Sequence, residues 1–201
     1  MTGTLVAPSA NAGSAGYRAR VPLTTVVTMK LTADLEKKFN DQITLEFEAS
    51  IVYRQLAIEV DCADLPGMAA WLRHQADEEI VHANKFIDHV VDRENHPKIG
   101  AIAAPELNPD MTPLEVFRAA LAHEQKVSES IRDLYRAAEA EGDLDSRPLL
   151  NWFLEEQIEE ESTASEIISR IELVGDDGSG LLRLDAELGA RPTQTTENNE
   201  G

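Results

Sequence analysis

The 201-residue chain is 42% hydrophobic and 5% aromatic, enough for one domain with a buried core and too little for two of ordinary size. Its 18 Lys and Arg stand against 37 Asp and Glu, and the net charge of -19 disfavours nucleic acid, which is bound through basic side chains, while making cations plausible partners. A single cysteine, Cys62, excludes a disulfide framework and Cys-based zinc or iron-sulfur sites, so a reducing compartment such as the cytoplasm is expected.

Residues 1–30 contain no Asp or Glu, and their basic residues are Arg18, Arg20 and Lys30. They are rich in Ala, Gly, Ser and Thr, lack a helical period, and have neither the basic start nor the apolar run of a signal peptide. A disordered N-terminal arm is expected, with Met29 an alternative start. Residues 31–201 then carry 15 basic against 37 acidic side chains, a balance of -22. No stretch approaches the roughly 20 apolar residues of a membrane span, so a soluble protein is expected.

Thr32 is a suitable N-cap for a first helix, whose seam is Leu35, Phe39, Gln42, Glu46, Ala49, Tyr53, Leu56 and Val60. After a break at residues 61–65, Pro66 opens a second helix with the seam Leu72, Ala76, Glu79, Ala83, Phe86 and Val90. Residues 95–111 hold three prolines and no helical period, and form a long loop. Thr112, Pro113 and Glu115 start a third helix with the seam Leu114, Phe117, Leu121, Glu124, Ser128, Ile131, Tyr135 and Ala138. A turn at Gly142 leads to a fourth helix from near Ser146, with the seam Leu149, Phe153, Glu156, Glu160, Thr163, Ile167, Arg170 and Val174. A shorter fifth helix is predicted over residues 180–188, and residues 190–201 read as a polar tail.

Four helices of roughly 28 residues, about 42 Å each, predict an all-α four-helix bundle over residues 31–189. The short breaks set helices one and two, and three and four, antiparallel. The 17-residue loop can reach about 56 Å, enough to cross the bundle's length and set helices two and three parallel.

Glu46, Glu79, Glu124 and Glu160 each fall near the midpoint of their own helix, so a bundle places them at one level. Carboxylates converging in an apolar core repel and lose hydration unless protonated or neutralised by cations. A two-cation site resolves the conflict, and His82, three residues after Glu79, adds an imidazole on the same face. Oxygen ligands with one imidazole suit iron or manganese. Taken singly, the acidic run 155–161 reads as a solvated face, and His74, His89, His96 and His123 as hydrogen-bonded histidines. The coincidence of one seam Glu in each helix favours the metal reading.

The segments 42–50 (QITLEFEAS), 78–82 (EEIVH), 123–125 (HEQ) and 152–160 (WFLEEQIEE) resemble the four helix motifs of bacterial non-haem ferritins, and the likeness covers residues 31–189 in order. The resemblance implies a 24-subunit cage that takes up Fe(II), oxidises it with O2 or peroxide at a di-iron ferroxidase centre inside each bundle, and stores ferric mineral. It implies one iron on Glu46, Glu79 and His82, and a second on Glu79, Glu124 and Glu160, with Gln157 beside the pair. A third iron would lie on Glu78, Glu156 and Glu159, giving two or three irons per subunit. Tyr53 matches a tyrosine next to the centre and Trp152 a nearby electron-donating aromatic, although core packing explains both equally.

Bacterioferritins carry Glu-x-x-His on the fourth helix too, where this chain has Gln157-Ile-Glu-Glu160, and Ile80 stands at their haem-ligating Met, so no haem is expected. Glu139, Glu141, Asp143 and Asp145 are candidates for lining an acidic pore, or simply solvated turn acids. Two other functions remain open from sequence. One is a di-iron or di-manganese oxidase acting on an organic substrate, and the other a non-catalytic acidic helical assembly protein.

Overall fold

The structure, a computed structural model, describes residues 29–108 and 110–190. The arm expected over residues 1–30 lies outside the described residues except for Met29 and Lys30, as does the expected tail beyond Ala190. Met29 and Lys30 contact the domain: the Met29 carbonyl accepts from Nε of Arg93, and Lys30 Nζ lies 4.0 Å from Glu94.

The described residues form five α-helices, α1 (Ala33–Cys62), α2 (Pro66–Asp92), α3 (Pro113–Glu141), α4 (Arg147–Val174) and α5 (Gly178–Gly189). The expected all-α bundle with a long crossover and a short fifth helix is the observed architecture. Local chemistry explains most boundaries. The Thr32 hydroxyl accepts from Leu35 N–H, Thr112 and Glu115 form a reciprocal capping box, and Gly142 ends α3 in the left-handed conformation at φ 71°. Asp177 caps α5 two residues earlier than the sequence suggests, by accepting from Ser179 N–H.

Hydrogen bonds between helix ends give the topology. At one end, Thr32 before α1 donates to Glu141 of α3, and Arg93 after α2 binds Asp143 and Ser146 between α3 and α4. At the other, Trp71 of α2 packs on Phe117 of α3 at 5.5 Å between ring centroids, and Arg118 pairs with Glu172 of α4. Helices α2 and α3 therefore run parallel, and α1 and α4 run against them. The crossover lies along α1, where Asn40 Oδ1 accepts from Lys98 N–H and Thr44 Oγ1 from Gly100 N–H, each at 2.8 Å.

The seams of α1 and α2 are buried as expected. That of α4 is corrected by one position. Leu150, Phe153, Gln157, Glu160, Ala164, Ile167 and Ile171 face inward, while Leu149, Glu156, Thr163, Arg170 and Val174 are only half-buried. Adjacent Leu149 and Leu150 allowed either phase, and packing selects the one that buries Ala164 and Ile171 rather than Thr163 and Arg170. On α3, Val116, Ala120 and Leu134 are buried where Leu114, Leu121 and Tyr135 are half-buried.

The apolar core is divided. One block joins Leu56, Val60, Met68, Leu72, Phe117, Ile167 and residues of α5; the other joins Phe39, Ile43, Phe86, Val127, Ile131, Leu150 and Phe153. Each draws on all four long helices. Between them lies a buried polar layer containing Glu46, Glu79, His82, Glu124, Gln157 and Glu160.

Candidate metal centre

The bundle brings the seam carboxylates together. Glu46, Glu79 and Glu124 are fully buried, His82 is 1% exposed and Glu160 7%. Ligand atoms of Glu46, Glu79 and His82 lie within 4.8 Å of one another. Oε2 of Glu46 and Oε1 of Glu79 have no hydrogen-bond partner although both are buried. Buried carboxylate oxygens without hydrogen bonds are destabilising unless protonated or ligating, and both residues share one donor set with the His82 imidazole.

Neutral donors orient most of the set. Gln42 Nε2 donates to Glu46 Oε1 at 2.7 Å, and its own carbonyl accepts from Ser130 at 2.5 Å. The Tyr53 phenol donates to Glu124 Oε1 at 2.5 Å. Gln75 Nε2 reaches both oxygens of Glu160, at 3.1 and 2.9 Å, and His82 Nδ1 lies 3.4 Å from Glu79 Oε2. Gln157 accepts from Ser128 at 2.9 Å and donates to Glu124 Oε2 at 3.5 Å. Sequence reasoning missed the roles of Gln42, Gln75, Ser128 and Ser130. Gln42 and Ser128 stand in the seams as polar interruptions, a usable signal. Gln75 lies outside the predicted seam, and nothing in the sequence pairs it with a residue 85 positions away.

Without a cation these acids keep their protons to higher pH than ordinary carboxylates do. Burial pushes Glu46 up, partly offset by the His82 charge and by hydrogen bonding with Gln42 and with the neighbouring Glu79. Burial and then the Glu124 charge push Glu79 well up. Burial takes Glu124 to about 7, and burial with Glu124 takes Glu160 to about 8. The Tyr53 phenol is raised by burial and by the surrounding carboxylates, so it remains a donor. The arrangement can therefore exchange protons for cations.

The outer residues are less converged. Glu78 is buried, Glu156 half-buried and Glu159 exposed, and they are not gathered as Glu46, Glu79 and His82 are. Trp152 is half-buried, edge-on to His82 at 5.7 Å between centroids, with Lys85 Nζ 4.2 Å from its ring centroid. Ile80 is half-buried on α2. Among the acids suggested for a pore, Asp143 is tied to Arg93 at 2.7 Å, Glu141 accepts from Thr32, Glu139 pairs with Arg147 at 3.2 Å, and Asp145 is exposed. No helix among the described residues is long and apolar enough to cross a membrane.

Four long helices with carboxylates from each and an imidazole at one buried level define a helical bundle of the kind that can hold metal ions between its helices. The family model described as "Ferritin-like domain" matches residues 36–174. A bacterial non-heme ferritin of Escherichia coli O6:H1 is 32% identical over 164 residues, covering 82% of this chain and 99% of that protein. Another from Staphylococcus haemolyticus is 37% identical over 161 residues, covering 80% and 96%. Among solved structures, an open pore ferritin from the archaeon Archaeoglobus fulgidus has a TM-score of 0.78 at 33% identity, covering 81% of this chain and 99% of its own. A humanized archaeal ferritin has 0.79 at 31%, covering 83% and 100%. The chain belongs to the ferritin family.

Proposed function

We propose that the protein is an iron-storage ferritin that oxidises Fe(II) with O2 at a di-iron centre inside each bundle and stores ferric mineral within a 24-subunit cage in the cytoplasm. The observation that carries this reading is the pair of orphaned oxygens, Glu46 Oε2 and Glu79 Oε1, buried in one donor set with His82. Glu46, Glu79 and His82 hold the first Fe(II). Glu79, Glu124 and Glu160 hold the second, with Gln157 beside the pair. Glu78, Glu156 and Glu159 supply a further, outer iron position, and peroxide can replace O2 as oxidant.

As the irons bind, the raised carboxyls give up protons. Anionic oxygen ligands stabilise Fe(III) over Fe(II), which favours oxidation at this level of the bundle. Two Fe(II) each lose one electron, and O2 gains two electrons and two protons to become hydrogen peroxide. Tyr53, Gln42 and Gln75 keep Glu124, Glu46 and Glu160 in place during this change. Trp152, against His82, is a candidate source of a further electron.

The test is aerobic addition of Fe(II) while O2 consumption and ferric absorbance are followed. Wild-type protein is expected to oxidise iron rapidly, and Glu79→Ala and His82→Ala to lose that rate. Equal O2 consumption in wild type and both variants sinks the assignment. Sizing with simultaneous iron measurement checks storage, for which a very large iron-loaded particle is expected.

A further inference from the structure

Ser128 of α3 lies in the polar layer, 1% exposed, and its hydroxyl stands within reach of two acceptors on α4. Glu161 Oε1 is 2.5 Å away and Gln157 Oε1 2.9 Å. A serine has one proton to donate, so it satisfies one of them at a time. The carboxylate has the shorter contact, and hydrogen bonds to a charged acceptor are the stronger kind. Glu161 also has a cation beside it, since Arg132 Nη2 lies 3.5 Å from the same oxygen. Ser128 therefore gives its proton to Glu161, and the Gln157 carbonyl is left facing a hydroxyl oxygen with nothing to donate.

A half-turn of the Gln157 carboxamide removes that conflict. It sets Nε2 against the Ser128 oxygen, as donor, and turns Oε1 toward Glu124, where Nε2 otherwise lies 3.5 Å from Oε2. Gln157 is 2% exposed, so its amide must find its partners inside the bundle. Facing an ionised Glu124 with no cation, Oε1 is repelled. Facing a cation bound to Glu124, it is a neutral oxygen ligand, which the amide nitrogen, a donor only, cannot be.

We propose that Ser128 and Glu161 are positioning residues that turn the Gln157 carbonyl toward a cation as it binds on Glu124. Without the cation, Gln157 donates to Glu124. With it, Ser128 gives its proton to Glu161 and accepts from Gln157, whose oxygen then serves the ion. Neither Ser128 nor Glu161 touches the ion itself. The proposal deepens the ferroxidase reading and rests on its second iron position at Glu79, Glu124 and Glu160.

Zinc is the probe, because it does not undergo oxidation during measurement. Crystals of the assembled wild-type protein are soaked in Zn(II). Wild type, Ser128→Ala, Ser128→Thr and Glu161→Leu are titrated with Zn(II) by calorimetry, each also in a Gln157→Ala background. In the crystal, one end of the Gln157 carboxamide is expected about 2.1 Å from zinc on Glu124, with the other end bonded to Ser128. Ser128→Ala and Glu161→Leu are expected to weaken the second zinc step about tenfold and leave the step at Glu46, Glu79 and His82 unchanged. Ser128→Thr keeps the hydroxyl and is expected to bind as wild type does. Both losses are expected to vanish in the Gln157→Ala background, which lost packing or the lost Glu161 charge alone would not do. Unchanged affinity in Ser128→Ala, losses that persist without Gln157, or zinc on Glu124 with Gln157 turned away overturns the proposal. The wild-type crystal decides this even if the variants do not fold. Zinc absent from Glu124 and Glu160 strikes the ferroxidase reading and the positioning together, whereas zinc there without Gln157 strikes the positioning alone.

Discussion

The Tyr53 phenol on α1 and the Glu124 carboxylate on α3 meet at 2.5 Å, joining residues 71 positions apart inside the polar layer. Tyr53 is thus more than an aromatic filler, since its hydrogen bond fixes one oxygen of a proposed iron ligand. Tyr53→Phe keeps the ring and removes the donor. Its expected effect is a loss of about 1–3 kcal/mol in stability of the metal-free protein, together with slower Fe(II) oxidation. Thermal unfolding and stopped-flow absorbance check the two, and an unchanged oxidation rate would remove Tyr53 from the centre's machinery.

Gln75 is the corresponding donor for Glu160. Gln75→Leu preserves approximate volume while leaving that carboxylate without either contact. Affinity at the proposed second iron position is expected to fall about 10- to 100-fold, with binding at Glu46, Glu79 and His82 retained. Zn(II) calorimetry should resolve the weakened step from the retained one.

The raised carboxyls predict an unusual pH response. A folded-state pKa near 7 for Glu124 and 8 for Glu160, against about 4.5 unfolded, means that the folded state binds more protons between those values. Their contribution therefore weakens as pH rises to about 8. His123 acts oppositely, because burial lowers it to about 4 and it favours the folded state more as pH rises towards 6.5. Above about 6.5 the carboxylates act alone, so the metal-free protein is expected to melt lower at pH 8 than at pH 6.5. Added Zn(II) should raise melting more at pH 8, since binding displaces protons. Glu160→Gln should flatten the metal-free slope.

Helix α5 depends on a close approach. Met68 N–H at the start of α2 donates to Asp185 at 2.7 Å, standing in for the missing local cap. A Cβ on Gly67 would lie 1.9 Å from the Asp185 carbonyl oxygen, and a backbone oxygen cannot move aside as a side chain tip can. Gly67→Ala is expected to displace α5 and to cost about 1–3 kcal/mol. Hydrogen exchange should rise in α5 before it rises in α2.

Arg93 and Asp143 form an ion pair with both side chains under a tenth exposed. Burial alone would raise Asp143, but hydrogen bonds from Arg93 and Ser146 and the Arg93 charge hold it below the usual carboxylate range. This contribution is fully present above about pH 4 and is lost as pH falls through the depressed value. Arg93→Met leaves the acid buried without its cation, at an expected cost of about 3 kcal/mol at neutral pH. The loss should shrink in acid, which denaturant titrations at two pH values can measure.

Helix order, crossover and the mid-level carboxylates were legible because each leaves a local mark: a cap, a proline-rich gap, or an acid interrupting an apolar row. Glu46, Glu79 and Glu124 could be placed from period alone. The phase of α4 was ambiguous because Leu149 and Leu150, and Glu156 and Gln157, offered neighbouring seams that differ by one rotation step. The pairing of Gln75 with Glu160 and of Arg93 with Asp143 depends on how helices meet in space, and local periodicity contains no such distance. His74, expected to be hydrogen-bonded, instead lies 3.1 Å from Glu78 without a hydrogen bond, which only packing shows.

The divided core has a dynamic consequence. Two apolar blocks, each sewn from all four long helices, fasten the bundle above and below its polar waist. If the proposed centre takes up iron, its donors would swap protons for metal at the waist while both blocks stay closed. Ion exchange would then call for breathing at one level rather than opening of the fold, much as a barrel held by two hoops can flex between them.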